Sequence, residues 1–414
     1  MDATRSNIAH LFRRAGFGAR PDELDLAVAR GYPATVDALL HGLQGADPAG
    51  DLVPVPTFST PYAAPGQTPT DPAAKMAANQ QRRQVQNQQY QALQQWWLDR
   101  MIATSTPLRE KLTLLWHNHF ATGFVKVRNA GFMYRQNQLM RTMGGGNFEA
   151  LTQAMAKDAA MMYWLDTETN VAGHPNENFA RELMELFTLG IGNYTEADVQ
   201  QGARAFTGWS LVPQTGDFVF RSSRHDNGVK SFLGQSGNFD GTDVVRIVTH
   251  QPASSQWVVA KLWSHLAYPV ATNDPIVSQL AAGFARDLDI TGLLRAIFLH
   301  PEFVGPTARA GLVKMPIEYL VGICRSFGLN AKLQPSGSPS SAPAPAPAPV
   351  PVPAKRVAAA ALDLRNILVR LAQEPFNPPS VGGWPQNEYW LNTATSLTRL
   401  QFGAALASRL DLAW

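Results

Sequence analysis

Residues His174–Gly190 read HPNENFARELMELFTLG, and this stretch decides the fold class. Phe179, Leu183, Leu186 and Phe187 recur at helical spacing and form one stripe suited to burial. Glu177, Arg181 and Glu185 make an i, i+4 ladder on the opposite side, the pattern of a solvated face. Gly190 closes the helix. Glu182 differs from the ladder, because it sits at the edge of the apolar stripe beside Leu186. Partial desolvation there raises a carboxyl pKa and suits a general acid; a salt bridge to a buried arginine is the plainer alternative. Glu182 and Glu185, at i and i+3, could also hold a metal in a bundle, but no ExxH partner accompanies them.

The same period extends in both directions. Thr195 to Phe206 opens with Thr195 and Asp198 in a capping-box pair, and residues 254–267, 275–299 and 314–328 fit 3.6 residues per turn. Upstream, Thr106-Pro107 places an N-cap hydroxyl before a proline at the first helical position. From Met76 a Gln-rich helix carries Leu93, Trp96, Trp97 and Met101 as its apolar stripe. Residues 22–43 are helical, as is the amino terminus, where Ile8, Leu11 and Phe12 lie beside Arg13 and Arg14. The exception is the segment near 210–240, where Phe218 and Phe220 alternate with polar residues, the mark of a small hairpin or irregular insertion. The expected fold is mainly α, a multi-helix orthogonal or bundle-like body with that insertion.

Two proline-rich stretches interrupt it. Residues 54–75 hold too many prolines for either hydrogen-bond ladder and read as a loop. Residues 336–355, SGSPSSAPAPAPAPVPVPAK, favour extended polyproline II and read as a linker or exposed loop. The expected organisation is a main helical domain over 1–335 and a C-terminal segment, 356–414, that packs back on it. That segment begins with a helix over Val357–Ala372, continues through a Pro/Gly/Trp loop, and ends in an amphipathic helix.

Composition narrows the function classes. Of 414 residues, 45% are hydrophobic, enough for a large core. Lys+Arg 35 against Asp+Glu 32 leaves +3, with the basic residues scattered among acids, so no nucleic-acid partner is expected. The single cysteine, Cys324, excludes an internal disulfide framework and a Cys-rich metal or iron–sulfur site. No run approaches the ~18 apolar residues of a membrane span. Phosphate-loop, G-x-S-x-G and H-E-x-x-H motifs are absent.

Two further segments carry titratable groups. His117 and His119 in WHNHF invite a metal reading, yet at i and i+2 on a helix they diverge by about 200°. They share an ion only if the helix ends before His117; otherwise they are structural residues or His119 is catalytic. His225, Asp226 and Lys230 lie in RHDNGVK, where Asp-Asn-Gly signals a turn; the functional alternative is a His-Asp pair at a cleft with Lys230 near an anionic group. Trp384 and Trp390 sit in a Pro/Gly/Asn loop, either as platforms for sugar rings or as anchors of the loop to the core.

HLFRRAGFGARPDEL, LREKLTLLWHNHF, NENFARELMELFTLGIGNYTEADVQQGARAFTGW, HDNGVKSFLG, LVKMPIEYLVGICRSFGL and PFNPPSVGGWPQNEYWLN occur in that order. In these blocks the chain resembles the bacterial family catalogued as domain of unknown function 1800, nearly end to end. The resemblance implies a mostly helical bacterial protein, in a family whose members often carry export signals, and names no activity. No h-region precedes a cleavage site here, so the sequence as it stands is expected to be cytoplasmic; a trimmed form of an envelope or secreted protein would read the same.

The functional expectation is an enzyme with a polymeric or small-molecule substrate, best a hydrolase of a glycan or other polymer. In it Glu182 is general acid, Glu185 or Asp226 base or nucleophile, and His119, Arg181, His225, Lys230, Trp384 and Trp390 support catalysis or binding. The alternatives are a metal-dependent enzyme using a divalent ion at His117, His119 and one or more of Glu182, Glu185, His225 and Asp226, and a non-catalytic scaffold.

Overall fold

The helix Pro107–His119 is buried on nearly every face, and the other elements are arranged around it. The computed structural model describes residues 3–59, 70–329 and 363–407. Among these residues are 19 α-helices and two small two-stranded antiparallel sheets, so the fold is mainly α. The linker expected at 336–355, residues 60–69 of the proline-rich loop, and positions 357–362 of the expected C-terminal helix lie outside the described residues.

A helix buried all round must satisfy its polar side chains internally. Glu110 is 0% exposed. It accepts from Arg100 Nε at 2.8 Å, Arg141 Nε at 2.6 Å, Arg141 Nη2 at 2.9 Å and Trp97 Nε1 at 3.0 Å. Those donors come from the helices Pro72–Ala103 and Ala130–Met143, which pack against each other, the latter also against Pro107–His119. Lys111 pairs with Glu318 of the helix Pro316–Ser326. Through such contacts one charged knot ties four helices to a common core that contains Trp97, Trp116 and Trp263.

That core extends into the C-terminal segment through Leu368, Phe376, Trp390 and Phe402. The amide of Phe124 donates to the carbonyl of Phe376 at 2.8 Å, and Tyr90 Oη to the carbonyl of Pro375 at 3.0 Å. The segment's helices are Leu364–Arg370 and Thr393–Ala407.

Several expected elements are altered for identifiable reasons. The stretch 22–43 forms two helices, Pro21–Arg30 and Tyr32–His41, divided at Gly31. The 275–299 pattern likewise divides into Pro275–Phe284 and Ile290–Leu299, because Asp289 caps a new helix with its carboxylate on the amides of Thr291 and Gly292. The Gln-rich helix starts earlier than Met76, at Pro72, capped by Asp71. Thr106 precedes its helix as expected, but its hydroxyl makes no cap; its amide instead donates to the Thr104 hydroxyl. The Thr195–Asp198 capping box is present. Near 210–240 the chain makes two hairpins rather than one, Trp209–Leu211 with Phe218–Phe220 and Lys230–Phe232 with Gln235–Gly237.

Candidate functional site

The decisive helix departs from the regular form. Asn178–Glu182 is α-helical, and Leu183–Thr188 widens into a π-helix, with the Leu189 amide reaching back to the Met184 carbonyl at 2.8 Å. A helix end leaves carbonyls without intrahelical partners. Here two side chains from other elements take them: Trp257 Nε1 donates to the Leu186 carbonyl at 2.9 Å, and His119 Nε2 donates to the Phe187 carbonyl at 3.0 Å. Gly190 ends the turn with φ +80°, and a Cβ there would meet the Trp257 ring at 2.7 Å, so glycine serves both the turn and the close approach.

Trp257 and His119 line a cleft of about 670 Å³ together with Asn118, Leu186, Lys261, Ser264, His265, Trp384 and residues on either side of it. The volume is in the range of small-molecule sites. Two residues of the cleft share one tautomer argument. His265 Nδ1 faces the Lys261 carbonyl at 2.7 Å, and a carbonyl can only accept, so that nitrogen carries the proton. Its Nε2 then accepts from Asn118 Nδ2 at 3.3 Å. Asn118 is held in turn by Trp384, whose amide donates to Asn118 Oδ1 at 2.5 Å. By the same logic His119 carries its proton on Nε2, which leaves Nδ1 as a lone-pair nitrogen with no partner among the described residues.

The electrostatics are one-sided. Lys261 sits 4.7 Å from the centre of the Trp257 ring and has no carboxylate partner among the described residues; burial lowers its pKa. Burial, with Lys261 beside it, holds His119 down to about 3, against the opposing pull of the Phe187 carbonyl. Burial likewise holds His265 down to about 4. No aspartate or glutamate lines the cleft. It therefore offers neutral imidazoles, an ammonium and aromatic walls, a set that favours an anionic guest.

Gly383 closes the wall beside Trp384. Its φ is +80°, and a Cβ would lie 2.3 Å from the Asn118 carbonyl oxygen and 2.4 Å from Asn118 Oδ1. Gly383→Ala is expected to cost about 2 kcal/mol or more, from left-handed strain plus the clash. A shift of the urea midpoint checks this; an unchanged midpoint would show that the loop relaxes freely.

The sequence-derived site residues divide into those in the cleft and those outside it. His119 and Trp384 line it; Glu182, Glu185, Arg181, His225, Asp226, Lys230 and Trp390 do not. His117 accepts the Phe376 amide on Nε2 at 3.1 Å and packs among Trp97, Phe376 and Trp384. This occupies one ring nitrogen, and the two histidines leave the helix on different sides. Among the described residues no group of three or more His, Cys, Asp or Glu side chains could hold a metal ion. Asp226 receives both arms of Arg204, at 2.7 and 3.1 Å, and that bond holds its carboxyl down to about 2. Lys230 donates to the carbonyls of Asp226 and Gly228, and His225 Nδ1 donates to the Thr207 carbonyl at 2.8 Å, so this group braces its own turn. Arg181 pairs with Glu177 and Glu196. Trp390 is 0% exposed and belongs to the core. Glu185 accepts from Tyr194 Oη at 2.8 Å, and burial together with Glu185 raises the Glu182 carboxyl.

Lys261 and His265 escaped the sequence reading, although Trp257, Lys261 and His265 recur at i, i+4 and i+8 on the helix Pro252–Leu266. A stripe of one aromatic and two bases is unusual for a core face and was the available signal.

Fold and cleft together define a mainly helical protein with a cationic, aromatic-walled pocket. The chain belongs to the family described as protein of unknown function (DUF1800), whose model matches residues 10–413. No curated protein and no solved structure matches it. Among the described residues no helix is long and apolar enough to cross a membrane.

Proposed function

We propose that the chain is a hydrolase of an anionic polymer, such as an acidic glycan, with its active site in the cleft of His119, Lys261 and His265. The observation that carries the reading is the free Nδ1 of a neutral, fixed histidine beside a half-buried lysine with no carboxylate partner among the described residues. Lys261 attracts an acidic group, and Trp257 presents aromatic surface to the rest of the ligand beside the buried Trp384. An anion bound at Lys261 offsets the repulsion that lowers His119, so the base strengthens when substrate is present. His119 Nδ1 then takes a proton from the attacking water, and the Lys261 ammonium supplies one to the leaving oxygen.

This places histidine where the sequence suggested carboxylates. A second reading keeps Glu182 as general acid with Glu185 beside it, and it rests on the raised Glu182 carboxyl. A panel of neutral, uronate-containing and O-acylated polysaccharides separates the two, with reducing ends and released acid measured for each variant. His119→Ala is expected to lower kcat by about 10²–10⁴ while the fold persists. Lys261→Met should raise KM for acidic substrates and lower kcat for all of them, since it removes both the anion contact and the proton donor. Activity abolished by Glu182→Gln and indifferent to His119→Ala would favour the carboxylate pair. Binding without turnover, unaffected by any of these changes, would favour the scaffold.

A further inference from the structure

His265 and Gln386 also border a second cavity, of about 200 Å³, that the cleft does not use. Arg13 and Arg14 reach it from the helix Ala3–Ala15, Lys111 from Pro107–His119, Arg309 from Pro306–Ala310, and Lys314 from just before Pro316. Against these five cations stands one carboxylate, Glu318, already committed to Lys111 and to the Met315 amide. Arg309 is held by Ser6, Asn7 and the Val304 carbonyl. Arg14 gives one terminal nitrogen to the Ala308 carbonyl, while its Nε is buried without a partner. The side chains of Arg13 and Lys314 have no hydrogen-bond or ion-pair partner among the described residues, the Lys314 carbonyl alone accepting from Arg399 at 2.8 Å.

Such a cluster is short of negative charge. Burial, reinforced by the neighbouring cations, lowers Arg14, Lys111 and Lys314 together, though Glu318 beside Lys111 works the other way. Like charges are gathered against their mutual repulsion, and a bound anion would relieve it. The cavity is several times the roughly 30 Å³ that one water occupies in the liquid, room for a tetrahedral oxyanion and its waters.

We propose that this pocket binds a multiply charged oxyanion of the phosphate class through Arg13, Arg14, Lys111 and Lys314. Of the residues that line it, His265 and Gln386 alone also border the cleft, and the site stands whether or not the cleft is catalytic. Its geometry suits the fork of Arg14 and the point charges of the lysines.

Titration calorimetry on the full chain at pH 7, with pyrophosphate as probe and sodium chloride holding ionic strength constant, tests it. Pyrophosphate is expected to bind one site, and Lys314→Met or Arg13→Met to weaken binding by at least about tenfold. Lys261→Met, in the cleft, should leave it within about twofold. Lys314→Met also removes a repelled charge, so the unliganded variant should melt no lower than the parent while losing the pyrophosphate-induced rise in Tm. No binding by the parent at about 5 mM, equal binding by the parent and both pocket variants, or binding lost in Lys261→Met would each overturn the assignment.

Discussion

Lowering the pH from 7 to 5.5 is expected to remove about 4 kcal/mol of folding free energy. Four histidines cause it. His117 and His119 are held near 3 by burial, and His10 and His265 near 4, where Arg14 and Arg13 add to the burial of His10 and Lys261 and Lys111 to that of His265. In an unfolded chain each titrates near 6.5. Because the folded values are the lower ones, the unfolded state binds the extra protons. The stabilising contribution is complete above 6.5 and is lost as pH falls toward the folded values. At pH 5.5 each histidine has given up about 1.2 kcal/mol, so the four sum to about 5.

Asp158 opposes them, whereas Lys111, lowered by burial, keeps its proton across this window because the Glu318 carboxylate pairs with it. Burial raises the Asp158 carboxyl to about 6, so the folded state takes a proton in this window and recovers about 1 kcal/mol. Histidine outweighs aspartate, and the net is a loss comparable to the whole stability of a marginal protein. Urea unfolding at the two pH values gives the difference directly. His10→Leu should flatten the dependence by about 1 kcal/mol, since His10 is fully buried and packs edge-on against Phe303. A profile flat between 7 and 5.5 would contradict the burial of these rings.

Glu110→Gln is expected to cost about 3–5 kcal/mol. The substitution preserves size and removes the charge that two buried guanidinium groups face. Arg100 keeps Asp47 and Asp51 as partners, whereas Arg141 is left with no carboxylate among the described residues, only neutral amide oxygens and the face of Trp96. Most of the penalty therefore lies with Arg141. The double variant Glu110→Gln/Arg141→Met should recover part of the loss, because it removes the uncompensated cation. Thermal or urea midpoints of the parent, both single variants and the double variant complete the cycle. If the double variant loses the sum of the single losses, Glu110 and Arg141 are not coupled.

The helical stripes were legible because burial selects apolar residues at a fixed spacing, and Leu93, Trp96, Trp97 and Met101 are buried as that spacing implied. The divergence of His117 and His119 followed from geometry alone. The π-turn was not legible: the LMELFT sequence suits an ordinary helix, and the extra residue per turn shows only where Trp257 and His119 receive the freed carbonyls. Glu110 looks like any acid in a first helical turn until Arg141, 31 residues away, is seen to face it. The cleft was half legible. His119 and Trp384 drew attention by residue type, but Lys261 and His265 lie in a helix whose apolar residues dominate the reading. Asp226 and Lys230 attracted a catalytic reading through composition, and their bonds to Arg204 and to nearby carbonyls make them parts of a turn.

The bond between Asn118 and Trp384 spans 266 positions of the chain. At about 5–20 residues per second a ribosome needs some 13–50 s to travel that distance. For the later part of that interval, once Lys261 has been added, the nascent polypeptide holds His119 and Lys261 without the wall that shapes their pocket. Emergence of Gly383 and Trp384 is then the step that completes the cleft, which makes it a late acquisition of biosynthesis. A message truncated before that point would yield a chain with most of its helices and no finished site.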